Sequence, residues 1–136
     1  MTLIADTITI DCVGWPGQVA FWSALLEYAD DPQNPNSPDD PEGLIIGPAG
    51  GPSLLFIPVP EAKTVKNRLH LDLCAVGTTR DAEVERALGL GASVVDDRRE
   101  PDGRGWVVMG DPEGNEFCIE RSAAEKAAFR AVHPEN

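Results

Sequence analysis

The chain has 136 residues, 42% of them hydrophobic, and a formal net charge of −12 from 11 Lys and Arg against 23 Asp and Glu. That length suits one core-forming domain and excludes two unrelated catalytic ones, since domains usually run to about 100–150 residues. The charge repels phosphate backbones and anionic lipid surfaces, so neither nucleic acid nor a membrane is an expected partner, and no apolar run approaches the roughly 20 residues of a bilayer span.

Cys12, Cys74 and Cys118 are odd in number and widely spaced, which argues against a disulfide framework and against a CxxC zinc site. The opening MTLIADTITID has no basic start and no long apolar stretch. No secretory signal is read there, and a reducing cytoplasm is the expected location.

Thr7 to Val13 alternates polar and apolar residues with period two, which predicts a half-buried strand. Gly14-Trp15-Pro16-Gly17 breaks it, and Val19, Trp22, Leu25 and Leu26 recur at helical spacing, predicting a helix from Pro16 to about Tyr28. Residues 29–43, with four prolines and five acids, predict a loop. Leu44–Ile46 and Ser53–Val59 read as strands joined by a Gly- and Pro-rich turn, with no Gly-Lys-Ser/Thr to make it a phosphate loop. Pro60 to Asn67 is a connector.

The opening pattern then returns. Leu69 to Cys74 alternates, Thr78 to about Leu90 predicts a helix with Val84, Ala87 and Leu88 on one face, and strands follow at 92–97, 105–109 and 115–120. Turns are expected at Pro101-Asp102-Gly103 and Asp111-Pro112-Glu113-Gly114. Ser122 and Glu125 have capping-box spacing, so a last helix starts there and ends near Val132. An offset of 61 residues superposes Ile10-Asp11 on Leu71-Asp72. The chain therefore reads as one domain over 1–136, with module one at about 3–60, module two at about 67–121 and a terminal helix at about 122–132.

Asp111-Pro112-Glu113-Gly114-Asn115, the helix end Leu88-Gly89-Leu90-Gly91-Ala92 and the segment Lys66-Asn67-Arg68-Leu69-His70-Leu71-Asp72-Leu73 occur in an order that resembles the vicinal oxygen chelate superfamily of glyoxalases, extradiol dioxygenases and bleomycin-resistance proteins. The resemblance is to its glyoxalase-like subgroup and implies an α+β fold: two tandem βαβββ modules forming a curled mixed-sheet cup, plus a C-terminal helix. The loop 29–43 stands where the family has its second strand, so the first module is expected to be short by one strand or to use an irregular one.

Fold alone does not fix the chemistry of such a scaffold. The resemblance implies a divalent metal held by His, Glu or Gln, His and Glu from the first and last strands of each module. His70 stands in one such place; the others fall on Thr9 or Thr7, near Ile57, and on Cys118. Threonine and isoleucine are not usual ligands for a transition metal.

Side chains two apart share a strand face. Thr7, Thr9 and Asp11 therefore oppose Ile8, Ile10 and Cys12; His70, Asp72 and Cys74 oppose Leu69, Leu71 and Leu73; Glu116, Cys118 and Glu120 oppose Phe117 and Ile119. The apolar sets are expected to pack under the helices, with Cys12 a small buried hydrophobe. The polar sets would line the concave face, where Glu116 and Glu120 would raise the pKa of Cys118 and suppress its thiolate.

The expected ligand-binding residues are thus Thr9, Asp11, His70, Asp72, Trp106, Glu116 and Cys118, with Trp106 stacking on a planar ligand and His70 the catalytic candidate because its pKa suits proton exchange near neutrality. The leading expectation is a glyoxalase-like protein with a degenerate metal site and no cofactor, which sequesters a small organic molecule or performs metal-independent acid–base chemistry. One alternative is a divalent-metal-dependent lyase or dioxygenase with a ligand set rearranged around His70 and drawing on Asp11, Asp72 or Glu116; shifting a ligand by two residues moves it some 6–7 Å along a strand, which disfavours it. Another alternative is a non-catalytic dimeric interaction domain. A homodimer is the expected assembly, as the resemblance implies.

Overall fold

The structure, a computed structural model, describes residues 2–48 and 51–134, and the chain divides into two compact units, residues 1–64 and 65–136.

In the first unit the period-two segment forms strand β1 (Thr7–Cys12), with Thr7, Thr9 and Asp11 exposed and Ile8, Ile10 and Cys12 turned inward. Gly14 and Pro16 open helix α1 (Trp15–Leu26), where the missing amide hydrogen of Pro16 is no loss. The helix ends on Glu27 in the left-handed region at φ 58°. Strands β2 (Gly43–Ile45) and β3 (Ser53–Pro58) follow. The sheet runs β1-β3-β2, with β1 parallel to β3 and β2 antiparallel to it. Helix α1 packs on β2 and β3, burying Phe21, Trp22 and Leu25 with Cys12, Ile45, Leu54 and Phe56. The Phe21 and Trp22 rings meet edge to face at 5.6 Å.

Among the described residues this unit has three strands, and residues 29–42 form no strand between α1 and β2. The loop instead is tied down by side chains. Asn36 donates to the Leu44 carbonyl at 2.7 Å and accepts from the Leu44 amide at 2.9 Å, so one side-chain amide makes the pair of bonds a neighbouring strand residue would make. Ala29 and Ile46 exchange backbone bonds beside it, and Trp15 donates to the Asp40 carbonyl at 3.1 Å.

The second unit repeats the opening with strand β4 (Leu71–Cys74) and helix α2 (Arg80–Leu90), then adds β5 (Ser93–Asp97), β6 (Val107–Gly110), β7 (Glu116–Glu120) and helix α3 (Ala123–Val132). Thr79 caps α2 by accepting from the Ala82 amide, and Gly91 ends it at φ 113°, where any side chain would be strained. The sheet order is β4-β7-β6-β5, with β4 parallel to β7 and the other pairs antiparallel. Val107, Met109, Phe117 and Ile119 are buried on one face with Val84 and Ala87 of α2. A bulge between Val94 and Asp96 breaks the β5–β6 register, bringing Asp96 opposite Val108.

The Asp111–Asn115 turn has a physical reason for its residues: one Asp111 carboxylate oxygen accepts from the amides of Glu113 and Asn115, both at 2.9 Å, and Gly114 takes φ 88°. The capping box of α3 forms as expected, with Ser122 and Glu125 each accepting from the other's amide. Among the described residues no helix is long and apolar enough to cross a membrane.

Candidate functional site

Strand register in the second unit sets polar side chains in rows across the sheet face away from α2. Asp72 on β4 lies opposite Cys118 on β7, Cys118 opposite Val108 on β6, and Val108 opposite Asp96 on β5. The next row starts with Cys74 opposite Glu120. Trp106 directly precedes β6 and Glu120 ends β7, next to the last ladder pair Val107–Ile119, and the Arg98 amide donates to the Trp106 carbonyl at 2.9 Å. His70 stands immediately before β4.

These rows floor a cavity of about 370 Å³ lined by Lys66, His70, Asp72, Asp96, Arg98, Trp106, Val108, Cys118 and Glu120. Of the expected site residues it gathers His70, Asp72, Trp106 and Cys118. Glu116 is elsewhere engaged. Its carboxylate, 8% exposed, accepts from Lys66 Nζ and from the Asn67 amide, both at 3.1 Å, while Asn67 Oδ1 accepts from the Glu116 amide at 3.0 Å. That clasp fastens the segment before His70 to β7. Thr9 and Asp11 stand exposed on β1 of the first unit.

Lys66, Asp96, Arg98 and Val108 were not expected at the site, and Glu120, expected on the concave face, was not among the expected ligand-binding residues. Face parity from Cys118 leads to Glu120, and parity from Trp106 leads to Val108.

At the centre of the lining, His70 Nδ1 is 3.2 Å from Asp72 Oδ1 and 3.9 Å from Cys118 Sγ. Nδ1 thus faces both the Asp72 carboxylate and the Cys118 sulfur, and these two neighbours orient the ring. The Cys118 thiol is pushed up to about 11, first by burial and then by the Asp72 and Glu120 carboxylates, with Lys66 opposing. The expected direction holds, though burial is the leading cause and Asp72 stands where Glu116 was expected.

The raised thiol has two consequences. Folding holds the proton on Cys118, so this group's contribution to stability is full below its ordinary value of 9.0 and is lost as pH climbs from there toward 11. It also sets reactivity: at pH 8 iodoacetamide labels the exposed Cys74, while buried Cys12 and Cys118 stay silent and Cys118 reacts only in strong alkali. Mass spectrometry of labelled peptides checks this, and labelling of Cys118 at the pace of Cys74 would refute it.

His70 Nδ1, an Asp72 oxygen and Cys118 Sγ all lie within 4.8 Å of one another. Donors at that spacing are close to those around one ion, which needs them at about 2.0–2.3 Å and, for a reactive centre, leaves a position open. One nitrogen, one oxygen and one sulfur suit a borderline ion of the zinc type better than a hard ion such as Mg or Mn.

Comparison with known proteins agrees with the fold. Residues 7–120 match the glyoxalase-like domain family. No curated protein matches the chain. Among solved structures, the fosfomycin resistance protein FosX from Listeria monocytogenes is similar at a TM-score of 0.66 and 15% identity, covering 96% of this chain and 98% of that one. A mutant of that protein complexed with Mn(II) and 1S,2S-dihydroxypropylphosphonic acid gives 0.65 and 14%, with the same coverage. A glyoxalase/bleomycin resistance protein/dioxygenase family enzyme from Burkholderia phytofirmans PsJN gives 0.64 and 18%, covering 85% of this chain and 95% of that one. With the family match spanning most of the sequence, the chain belongs to the glyoxalase-like domain family of the vicinal oxygen chelate superfamily.

Proposed function

We propose that the second unit's cavity binds a small organic molecule and that His70, oriented by Asp72, is the group that exchanges a proton with it. The observation that carries this reading is the cavity itself. Its volume of about 370 Å³ fits a small organic ligand, and Trp106 and Val108 offer apolar surface beside the His70–Asp72 pair. The cysteine at the centre of the lining is held as a thiol, so the imidazole is the side chain suited to act as base near neutrality.

The test is a thermal-shift screen of metabolites and antibiotics on the full chain. A binder present at 100 times its Kd is expected to add about 2.7 kcal/mol of stability. Trp106→Ala removes the shift, whereas His70→Asn retains binding and abolishes any turnover. A diverse library that produces no shift, or shifts that survive Trp106→Ala unchanged, sinks the reading.

A second reading has its own observation, the convergence of His70, Asp72 and Cys118. On that reading these three hold a divalent ion of the zinc class, which supplies a Lewis acid at the cavity floor, while Glu120 and Trp106 position the ligand. Elemental analysis of protein purified without chelator decides between the two. Stoichiometric metal, lost in both His70→Ala and Cys118→Ser, replaces the metal-free reading.

A further inference from the structure

We infer that the molecule accepted by this cavity carries a protonated amine, received by the Glu120 carboxylate and the face of Trp106. The inference rests on the cavity being a small-molecule site and names the class of ligand.

Charge placement makes the case. Asp72 faces His70 at 3.2 Å, Arg98 Nε pairs with Asp96 at 2.9 Å, and Lys66 is held at 3.1 Å by Glu116, just outside the lining. Among the described residues the Glu120 side chain has no hydrogen bond or ion pair. Besides His70, two cations and three carboxylates line the cavity, and each of the two cations already faces a carboxylate. An incoming anion would meet Glu120 and Asp72 and would have to draw Lys66 or Arg98 away from a carboxylate. A neutral ligand without a donor would strip water from Glu120 and return nothing, and one with a hydroxyl would return only a neutral hydrogen bond, weaker than that from an ammonium group.

A cation meets the complementary arrangement. Glu120 is half-buried at the end of β7, and Trp106, 42% exposed and directly before β6, lines the same cavity. A carboxylate beside an available indole is the pairing that recognises an ammonium group, through a charge-assisted hydrogen bond and a cation–π contact.

Benzylamine, benzyl alcohol and benzoate, titrated into the full chain by calorimetry at pH 7, test this with one scaffold and three charges. Benzylamine is expected to bind about tenfold more tightly than benzyl alcohol, the ratio that about 1.4 kcal/mol confers, with benzoate weakest. Glu120→Gln is expected to bring the amine-to-alcohol affinity ratio down to about one, with the denaturation midpoint recording that the variant is folded. If the alcohol binds as well as the amine, if benzoate binds best, or if Glu120→Gln keeps the amine preference, the inference falls while the cavity reading stands. Failure of all three at millimolar concentration overturns the inference, and an empty metabolite screen then removes the cavity reading as well.

Discussion

Replacing Arg80 with methionine is expected to destabilise the protein by about 3 kcal/mol and to lower its melting temperature by about 10 °C. Arg80 opens helix α2 yet is 5% exposed. Its Nη1 donates to the carbonyls of Gly103, Arg104 and Gly105 at 3.1, 2.9 and 3.0 Å, and its Nε pairs with Asp81 at 2.9 Å. Its amide also donates to Glu125 at 2.9 Å, joining the start of α2 to the cap of α3. Methionine keeps the aliphatic stem and deletes the donors, so the Gly103 and Gly105 carbonyls lose this donor and the Arg104 carbonyl keeps only the Glu100 amide, and a lost partner costs more than a hydrogen bond normally contributes. Calorimetry gives the melting shift, and amide exchange localises it: protection falls first across residues 98–106. A variant as stable as the parent would show that these bonds are exchanged for water without loss.

The second large effect sits in the same loop. Gly105 has φ +93°, and a Cβ placed there would run into the Arg98 carbonyl, a backbone atom that cannot swing aside. Gly105→Ala is therefore expected to cost about 3 kcal/mol, from the disfavoured backbone region and the clash together. The readout is the urea midpoint at unchanged slope. Because Arg98 and Trp106 both line the cavity, the same variant is expected to weaken ligand binding, which separates it from damage confined to the core. Arg80→Met and Gly105→Ala disturb the same carbonyl cluster, so their effects should sum to less than the two separately. A midpoint unmoved by Gly105→Ala would mean that the loop relaxes at no cost.

Beside these, the acid-side chemistry of the loop is robust. Arg99 holds Asp97 down to about 2, chiefly by the side-chain bond between them at 2.7 Å. A carboxyl lowered by folding supports stability above its ordinary value of 3.8, and that support fades only as pH falls from there toward 2. This pair does not limit stability at mildly acidic pH.

Every strand and helix was found in order, most of them because they bury a face whose spacing is written in the side chains, such as Ile8, Ile10 and Cys12 on β1 and Phe117 and Ile119 on β7; β5, exposed throughout, and α3, with no buried residue, were marked instead by flanking turns and the Ser122–Glu125 cap. Helix α2 starts at Arg80, after the capping threonine, two residues beyond the expected Thr78. The site was only half readable for two reasons. Asp96 reaches the cavity through a bulge, and an unbroken register would have put it opposite Val107 on the other face. Bulges leave no period of their own in the sequence. Glu116 shares the parity of Cys118, yet its carboxylate is drawn off by Asn67, a partner 49 residues away that no local pattern announces. Arg80 escaped notice for a similar reason, since an arginine in the first turn of an amphipathic helix looks like a solvated charge until a distant loop closes over it.

Asn36 brings a consequence for how the chain behaves in company. A sheet edge with free amides and carbonyls is a template on which other chains can add strands. At β2 the outward groups of Leu44 and Ile46 are already taken, one pair by the Asn36 amide and the other by Ala29. The first unit therefore resists fibril growth from that edge, and at Leu44 it does so by one side chain that ordinary chemical ageing can convert. Deamidation of Asn36 would trade its donor for a second carboxylate oxygen facing Leu44 and Asp30, reopening in an old molecule an edge that is closed in a fresh one.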